Sequence, residues 1–525
     1  MDYSKSQGNN PKYNTFDLSH DKKMSLKMGE IIPVLAMDVL PGDKFTIETS
    51  HLTRFLPLTA PVMHDVKVKV RYFFSPNRIV WDNWEDFITG PTGPLDTTEP
   101  VHPTIGAPST PSSLMDYMGV NTSNNAAGNV ATVNALPFAH YQFIYDEYFR
   151  DQNLIDEVGA WALIDGAQNA LNNAKLITKR NVAWQHDRFT SALPFTQKGP
   201  EVSLPVINAT GTGPNGLIPT TWKGANDGNF NPSGAFYASN GATFTTSNMK
   251  VDNSVVVSNS GLPVSLDVSQ NTFIDPTALQ ANAATINQLR EAFAIQKWLE
   301  LNARTGNRYT EHIEAHFGIK PQDARLQRPE EFGGSVSNIQ FSEVLQTSES
   351  AATAQGNMAG HAITASGSRA SSYTAQEHGW VFAFMYIVPE TSYSQGIAPK
   401  FNKTDRYDYF QPLLAHIGEQ PVLNKELYAD GTQAENGTFG YLPIYDEYRH
   451  EHNSVHGLMK TDFEYWHLGR KFNSMPALNG TFVTADPSRR IFADTAASAE
   501  QIIAHVYNKV DVKRKVPYYG TPGGI

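Results

Sequence analysis

An alternating stretch near the N-terminal end constrains the fold more than any other part of this sequence. In HDVKVKVRYFF (64–74), apolar and cationic residues alternate: Val66, Val68, Val70 and Tyr72 against Lys67, Lys69 and Arg71. Apolar side chains at every second position share one face of a strand, whereas a helix would scatter them around its axis. The stretch therefore predicts a β-strand, and the turn triplet Pro41-Gly42-Asp43 separates two further extended runs upstream.

Other strand patterns lie far apart in the chain, and helical patterns separate them. The strand candidates are residues 335–346, 379–389 and 502–519, whereas 135–153 and 287–305 carry apolar residues at helical spacing. The run at 379–389 has only about half the length of a membrane span, so it predicts a strand buried on both faces. Because long excursions join the strands without βαβ alternation, we expect a mainly β protein, an antiparallel barrel or sandwich with long loop and helix insertions.

Two segments differ in composition from the rest of the chain. Residues 207–284 contain only six charged residues and are rich in Asn, Gly, Ser and Thr, but their aromatic residues argue against a disordered linker. These aromatic residues include Trp222, Phe230, Phe236 and Tyr237. The composition predicts a surface-exposed insertion subdomain at 207–284 within a core formed by 1–206 and 285–525. The second segment, 349–376, is rich in Ala, Ser and Gly and predicts a long loop.

Charge and cysteine content exclude several kinds of site. The chain has 41 Lys and Arg against 52 Asp and Glu, a net charge of −11, so any contact with nucleic acid must be local. It contains no cysteine, which excludes disulfides, thiolate metal sites and cysteine nucleophiles. The polar N-terminal segment has no apolar h-region, so no secretory signal is expected.

The pentapeptide IYDEY occurs at 144–148 and again at 444–448, which raises the possibility of paired catalytic acids. The acids are neighbours in sequence: Asp146 and Glu147, Asp446 and Glu447. A glycosidase needs two carboxylates about 5–10 Å apart that face each other, so only the fold could bring the two copies together. The alternative, which we favour, is an amphipathic helical element that buries its tyrosines and exposes its acids.

The histidine pairs are a weak indication of a metal site. His312 and His316 are spaced i, i+4, and so are His452 and His456, but neither pair has an evident third ligand. A structural or titrating role is favoured. The sequence also contains no P-loop, no G-x-G-x-x-G after a strand and no G-x-S-x-G elbow. We therefore expect no catalytic residue, no metal site and no cofactor.

Cations cluster near the C-terminal end. Within 505–525 four cations stand against one acid, a local charge of 4 − 1 = +3: Lys509, Lys513, Arg514 and Lys515 against Asp511. Cations among tyrosines suit single-stranded nucleic acid, because phosphates need charge and bases need stacking faces. A solvated strand edge protected by lysines explains the pattern equally well. Strand alternation would turn Arg514 away from the face that carries Lys513 and Lys515.

Several longer stretches together resemble one protein family. They include LTAPVMHDVKVKVRYFFSPNRIVWDNWEDFITG (58–90), residues 16–45, 190–205 and 377–428, and the two segments that contain IYDEY. These stretches resemble the major capsid protein of the Microviridae, the small icosahedral phages with circular single-stranded DNA, and its gokushovirus-like branch in particular. The similarity runs in order from about residue 16 to residue 472, which is far more specific than a short motif.

The resemblance implies an eight-stranded antiparallel jelly roll of the viral capsid type. It also implies that about sixty copies form a T = 1 shell. The protein would then be part of the virion and would assemble in the host bacterial cytoplasm. The implied partners are the single-stranded DNA genome on the inner face, a small basic DNA-binding protein, a pilot protein, a scaffolding protein and a host surface receptor. The insertion would then face the host, and the acids of both IYDEY copies would face neighbouring subunits or solvent.

The competing hypothesis is a carbohydrate-active enzyme or lectin-like protein on a similar β-scaffold, in which the paired acids act on sugar. Particle formation separates the two hypotheses, because a capsid protein forms closed shells and a hydrolase does not.

Overall fold

The structure of the chain is a computed structural model. It describes residues 12–90, 99–107, 110–120, 131–200, 202, 286–306, 308–345, 358–496 and 499–518, and the backbone of short strands between 236 and 265. Two compact units are present: Met1–Thr196 with Asn302–Ile525 form the first, and Gln197–Leu301 form the second. Among the described residues, no helix is long and apolar enough to cross a membrane.

Strands dominate the described residues. They are β1 (Asn14–Asp17), β2 (His20–Leu26), β3 (Ile32–Val39), β4 (Lys44–Phe55), β5 (Val66–Pro76), β6 (Thr104–Ala107), β7 (Ala131–Asn134), β8 (Phe236–Ala238), β9 (Thr243–Phe244), β10 (Met249–Asp252), β11 (Val255–Ser258), β12 (Val264–Ser265), β13 (Glu330–Asn338), β14 (Gln340–Leu345), β15 (Met358–Gly367), β16 (Ser371–Thr374), β17 (Gly379–Pro389), β18 (Glu419–Leu423), β19 (Thr438–Pro443) and β20 (Ile502–Arg514).

The helices lie in the excursions between strands. They are α1 (Asn77–Val80), α2 (Trp84–Thr89), α3 (Leu114–Tyr117), α4 (Leu136–Tyr148), α5 (Ala170–Leu176), α6 (Ile286–Thr305), α7 (Tyr309–Phe317), α8 (Asn424–Leu427) and α9 (Gly480–Val483). Single turns of 3-10 helix occur at Ala324–Leu326, Pro399–Phe401, Arg406–Asp408, Pro412–Leu414, Gln433–Asn436, Asp446–Tyr448, Gly457–Lys460 and Glu464–Trp466. The predicted helices at 135–153 and 287–305 correspond to α4 and α6.

Two large antiparallel sheets form the centre of the first unit, which also contains the two-stranded sheets β6-β7 and β18-β19. A seven-stranded sheet has the order β1-β20-β4-β15-β14, in which β2 also pairs with β20 and β16 with β4. A four-stranded sheet has the order β13-β5-β17-β3. Every pairing between named strands is antiparallel, so the predicted mainly β, antiparallel class is confirmed for the described residues.

A core of aliphatic and aromatic side chains fills the space between the two sheets. The alternating stretch that opens the sequence forms β5, whose Val66, Val68, Val70 and Tyr72 are all buried in this core. From the opposite sheet, β20 contributes Val506, Val510 and Val512. The period-two pattern was therefore sufficient to predict which side of these strands is buried, since alternate side chains of a strand project to opposite faces.

A second core covers the other face of the four-stranded sheet. Helix α4 contributes Tyr141 and Tyr145 to this core, and the rings of Tyr141 and Phe384 of β17 meet edge to face at 5.5 Å. Since β17 contributes Val381 and Met385 to the first core and Phe384 to the second, it is buried on both faces. This explains its continuous apolar sequence and confirms the expectation from it.

Two predictions about local structure are wrong. The single strand expected at 335–346 is two strands: β13 lies in the four-stranded sheet and β14 in the seven-stranded sheet, with the chain crossing at Ile339. The long loop expected at 349–376 is the pair β15 and β16 over its described part, and both strands pair with β4. A glycine is required at position 360, because a Cβ there would lie 2.3 Å from the carbonyl oxygen of Ala60. The composition predicted a loop, whereas at Gly360 it is the close approach of a neighbouring backbone within the folded structure that requires glycine.

Candidate nucleic-acid interface and the two acid motifs

The C-terminal strand β20 presents its predicted basic residues on both faces of the seven-stranded sheet. Its side chains alternate between buried and exposed from Ile502 to Lys513, so Lys509 and Lys513 lie on the solvent face. Lys509 is opposite Glu48 of β4, and Asp511 is opposite Thr46. Across β1, β2, β4 and β20, this face carries five cations and four carboxylates, a charge of 5 − 4 = +1. They are Lys23, Lys44, Arg54, Lys509 and Lys513 with Asp17, Asp21, Glu48 and Asp511. The sheet face is thus mixed in charge and not uniformly basic.

Arg514 lies on the opposite side of β20 from Lys513. Its Nη2 donates to Oδ2 of Asp43 at 2.6 Å, and Asp43 is only 1% exposed. The same oxygen accepts the backbone N–H of Leu40 at 3.0 Å, so Asp43 closes the turn between β3 and β4. The predicted turn at Pro41-Gly42-Asp43 therefore contains the ion-pair partner of Arg514, and this arginine is committed to a contact inside the subunit.

The remaining lysines gather at one end of the sheet. Lys513 is directly opposite Lys44 of β4, and the Nζ atoms of Lys44 and Lys515 lie 5.9 and 5.3 Å from the ring centroid of Tyr13. The ring of Tyr518 packs at a tilt against that of Phe16, at a centroid distance of 5.1 Å, and its hydroxyl donates to the carbonyl of Thr15. We call Tyr13, Lys44, Lys513, Lys515 and Tyr518 the lysine corner. Sequence reasoning missed Lys44 and Tyr13, because only the pairing of β1, β20 and β4 brings them to the C-terminal strand.

The first IYDEY motif ends helix α4, and its acids are bonded within the subunit. Asp146 is buried and accepts the backbone N–H of Val158 at 3.0 Å and the indole N–H of Trp161 at 3.1 Å. Burial raises the pKa of Asp146 against the hydrogen bonds from Val158 and the charge of Arg150, which lower it. Glu147 accepts from Nε of Arg328 at 2.6 Å. The motif therefore connects the end of α4 to two other segments: the one that follows it, through Val158 and Trp161, and the one that precedes β13, through Arg328.

The second IYDEY motif is not helical, in contrast to the expectation. Tyr445 has a left-handed backbone with φ of 64°, and only Asp446–Tyr448 form a 3-10 turn. Asp446 is buried and accepts from Nη1 of Arg188 at 2.9 Å, while Nη2 of this arginine donates to Glu426 at 2.8 Å. Burial alone would raise the pKa of Glu447, but hydrogen bonds from Gln420 and Lys403 lower it below its usual value.

The expectation that the motif acids face solvent or neighbouring subunits is wrong for Asp146 and Asp446. Both are buried. Asp146 accepts the backbone N–H of Val158, and Asp446 neutralises the guanidinium of Arg188. Asp446 lines a cleft of about 730 Å³, whereas Glu147 lines a different one of about 530 Å³. Of the four motif acids, each of these two clefts is lined by one only. Two motif carboxylates therefore do not face each other across either cleft. The expectation that the tyrosines pack is confirmed for Tyr145 and Tyr445, which are both buried.

The larger cleft is rich in carboxylates, but its acids have partners. Asp187 accepts the hydroxyl proton of Tyr393 at 2.6 Å, and Glu419 pairs with Arg304. The predicted histidine pair on α7 is present, with the rings of His312 and His316 at a centroid distance of 4.2 Å. Nε2 of His316 lies 2.8 Å from Oδ1 of Asn302. Within the described part of the chain, no three His, Asp or Glu side chains are grouped to hold a metal ion.

The predicted host-facing residues lie largely outside the described residues. Trp222 and Phe230 are not described, and Phe236 and Tyr237 are described only as backbone of β8 in the second unit. Strand β8 pairs with β9 and β12, and β10 pairs with β11.

Comparison with known proteins gives a consistent result over the whole chain. A family model described as "Capsid protein (F protein)" matches residues 4–524. The chain is 34% identical to capsid protein VP1 of Bdellovibrio phage phiMH2K, over 97% of this chain and 94% of the relative. It is 31% identical to capsid protein VP1 of Chlamydia phage 1, over 97% and 95%, and 29% identical to capsid protein VP1 of Spiroplasma virus 4, over 99% and 97%.

Proposed function

Because this chain belongs to the F capsid protein family of the Microviridae, we propose that about sixty copies of it assemble into a closed T = 1 shell around a single-stranded DNA genome. The chain is a virion structural protein of a small phage, as its family is. The observation that carries this proposal is the family match over residues 4–524. The two facing sheets fit the proposed jelly roll, in which eight strands form two sheets around one core.

Assembly of the purified chain tests this proposal. The full-length protein is expressed in bacteria, and its products are separated by size-exclusion chromatography and viewed by negative-stain and cryo-electron microscopy. We expect closed particles with icosahedral symmetry. The same preparation is then repeated with the proposed scaffolding protein co-expressed. Subunits that stay monomeric in both preparations, or that form only open filaments, would refute the shell.

We infer that the lysine corner contacts DNA on the inner face of the shell. Its three lysines lie close together without an acidic residue opposite Lys513, and the partly exposed side chains of Tyr13 and Tyr518 lie beside them. Phosphates attract the lysines and bases stack on the tyrosines, which suits single-stranded DNA. Lys509 contributes less, because it faces Glu48. Arg514 is not part of this interface, since it pairs with Asp43.

The triple substitution Lys44→Ala/Lys513→Ala/Lys515→Ala tests this interface. On a single strand each lost phosphate contact lowers the salt dependence of binding by about 0.7, so the slope of log K against log salt should fall by about 2. Lys23→Ala on the same sheet face is the control, because Lys23 pairs with Asp21. We expect variant shells that hold less DNA or release it at lower salt. Shells that keep the parent's DNA content and salt stability, or a particle structure with this corner on the outer surface, would end the idea.

The insertion at 207–284 is proposed as the host-facing subdomain that meets a surface receptor. Its support is its composition, with six charges and several aromatic residues, which favours contact without long-range electrostatics. Replacement of residues 212–280 by a short Gly/Ser linker should leave particles that assemble but do not adsorb to host cells. Particles that adsorb normally would exclude this role. A small basic DNA-binding protein, a pilot protein and a scaffolding protein remain proposed partners, with assembly in the host bacterial cytoplasm.

The chain is further proposed to have no hydrolytic activity. The acids that motivated the carbohydrate-active alternative are bonded to arginines, backbone N–H groups or lysine within the subunit. No observation favours the enzyme hypothesis over the capsid.

A further inference from the structure

One surface segment of the first unit exposes an unusual amount of apolar side chain. Residues 397–417, here called the arm, contain three single 3-10 turns and no strand. Six large apolar side chains of the arm are at least half exposed: Phe401, Tyr407, Tyr409, Phe410, Leu413 and Ile417. Leu413 is 91% exposed and Phe401 is 74% exposed. Single exposed apolar residues are normal, but a run of this density marks a contact surface.

The second IYDEY motif holds the arm in place. The hydroxyl of Tyr445 accepts the backbone N–H of Gln411 at 3.2 Å, and the ring of Tyr445 meets that of Phe410 at 5.2 Å. Nζ of Lys403 lies 3.1 Å from Glu447 and 3.8 Å from the ring centroid of Tyr448. A surface that is already ordered before binding loses less conformational entropy when a partner covers it. The arm is therefore presented as an ordered surface.

The size and composition of this surface fit a protein interface. If each large side chain has about 150–250 Å² of surface, the exposed fractions of these six side chains and of the adjacent Tyr448 leave roughly 700–1,100 Å² in contact with solvent. A stable interface of standard size buries about 800 Å² from each partner. Tyrosine, phenylalanine and arginine are enriched in interface cores, and Arg406 lies among the tyrosines with its guanidinium 4.8 Å from the Tyr407 ring centroid.

We propose that the arm docks onto a second copy of this chain and forms a subunit contact of the shell. This inference rests on the proposed shell, in which every copy must bury the same surface against a neighbour. A basic partner is disfavoured, because the arm has three cations and two carboxylates, and the carboxylates Asp405 and Asp408 cap its own turns. Lys400 and Lys403 are neutralised by Glu451 and Glu447, so an apolar surface remains.

The double substitution Phe401→Asp/Leu413→Asp tests the contact in the full-length chain. Both positions are exposed in the subunit, so we expect an unchanged near-ultraviolet circular dichroism spectrum and an unchanged melting temperature of unassembled subunits. Truncation or charging of central interface residues weakens association strongly, so the subunit concentration needed for assembly should rise at least about tenfold. Leu171→Asp is the matched control, because Leu171 on α5 is 68% exposed and lies outside the arm. It should assemble like the parent, and so should Leu413→Met.

A labelling experiment gives an independent readout. The chain contains no cysteine, so Leu413→Cys introduces a single thiol. A maleimide should label this thiol in free subunits and at least tenfold more slowly in intact shells, since the contact excludes the reagent. Equal labelling in both states, or parent-like assembly of the double variant, overturns the inference. Shells of the variant that assemble but do not adsorb would assign the arm to a receptor and also overturn it. If the parent itself forms no shells, the proposed function fails instead.

Discussion

Removal of the Arg514 side chain should destabilise the subunit, although the sequence marks this residue as one cation in a basic cluster. Asp43 is 1% exposed, and its Oδ2 would keep only the backbone N–H of Leu40 as a donor. Loss of one partner of a buried ion pair costs about 3–5 kcal/mol. Here the Arg514 side chain is 18% exposed and a single 2.6 Å contact joins the pair. We therefore expect Arg514→Ala to lower the free energy of unfolding by about 2–4 kcal/mol.

The neighbouring residue provides the control for this experiment. Lys513 is exposed and lies opposite Lys44, so Lys513→Ala should change the free energy of unfolding by less than about 0.5 kcal/mol. The measurement is urea unfolding of unassembled subunits, followed by tryptophan fluorescence. A double-mutant cycle of Arg514→Met with Asp43→Asn should give a coupling energy of about 1–3 kcal/mol. If Arg514→Ala and Lys513→Ala unfold at the same urea concentration, the buried-pair explanation is refuted.

Four further outcomes are expected. Arg188→Met should lower the free energy of unfolding by about 3–5 kcal/mol, measured by urea unfolding, because it leaves the carboxylates of Glu426 and Asp446 buried without their cation. Burial lowers the pKa of His140 to about 3, so only the unfolded state binds its proton as the pH falls below about 6.5, and stability is lost. Between pH 7.5 and 5 the parent should therefore lose about 2 kcal/mol more than His140→Gln, and identical pH profiles would contradict this. Gly360→Ala should reduce the yield of folded subunits or lower the free energy of unfolding by about 1–3 kcal/mol, as urea unfolding would show, because its Cβ meets the Ala60 carbonyl. Finally, reducing-sugar assays should find no hydrolysis by the parent, and turnover that disappears in Glu447→Gln would revive the enzyme hypothesis.

The two copies of IYDEY show where local sequence stops determining structure. At 144–148 the motif lies within a run of apolar residues at helical spacing and ends α4, as expected. At 444–448 the same five residues follow strand β19. Here Tyr445 has a left-handed backbone conformation, and Asp446–Tyr448 form a 3-10 turn. The flanking chain and the buried Arg188 decide this second conformation, because burying Asp446 against the arginine outweighs the helical preference of five residues.

Sequence alone determined which face of the major strands is buried and to which family the chain is similar. Alternation in β5 and the uninterrupted apolar run of β17 are consequences of strand geometry, so they can be read without a structure. Only tertiary structure decided which charges are available to a ligand. Arg514 pairs with Asp43 far upstream in sequence, whereas Lys513 meets Lys44 and joins Tyr13 in the lysine corner. Such pairings depend on which strands become neighbours, and a local pattern contains no information on the register between strands that lie hundreds of residues apart.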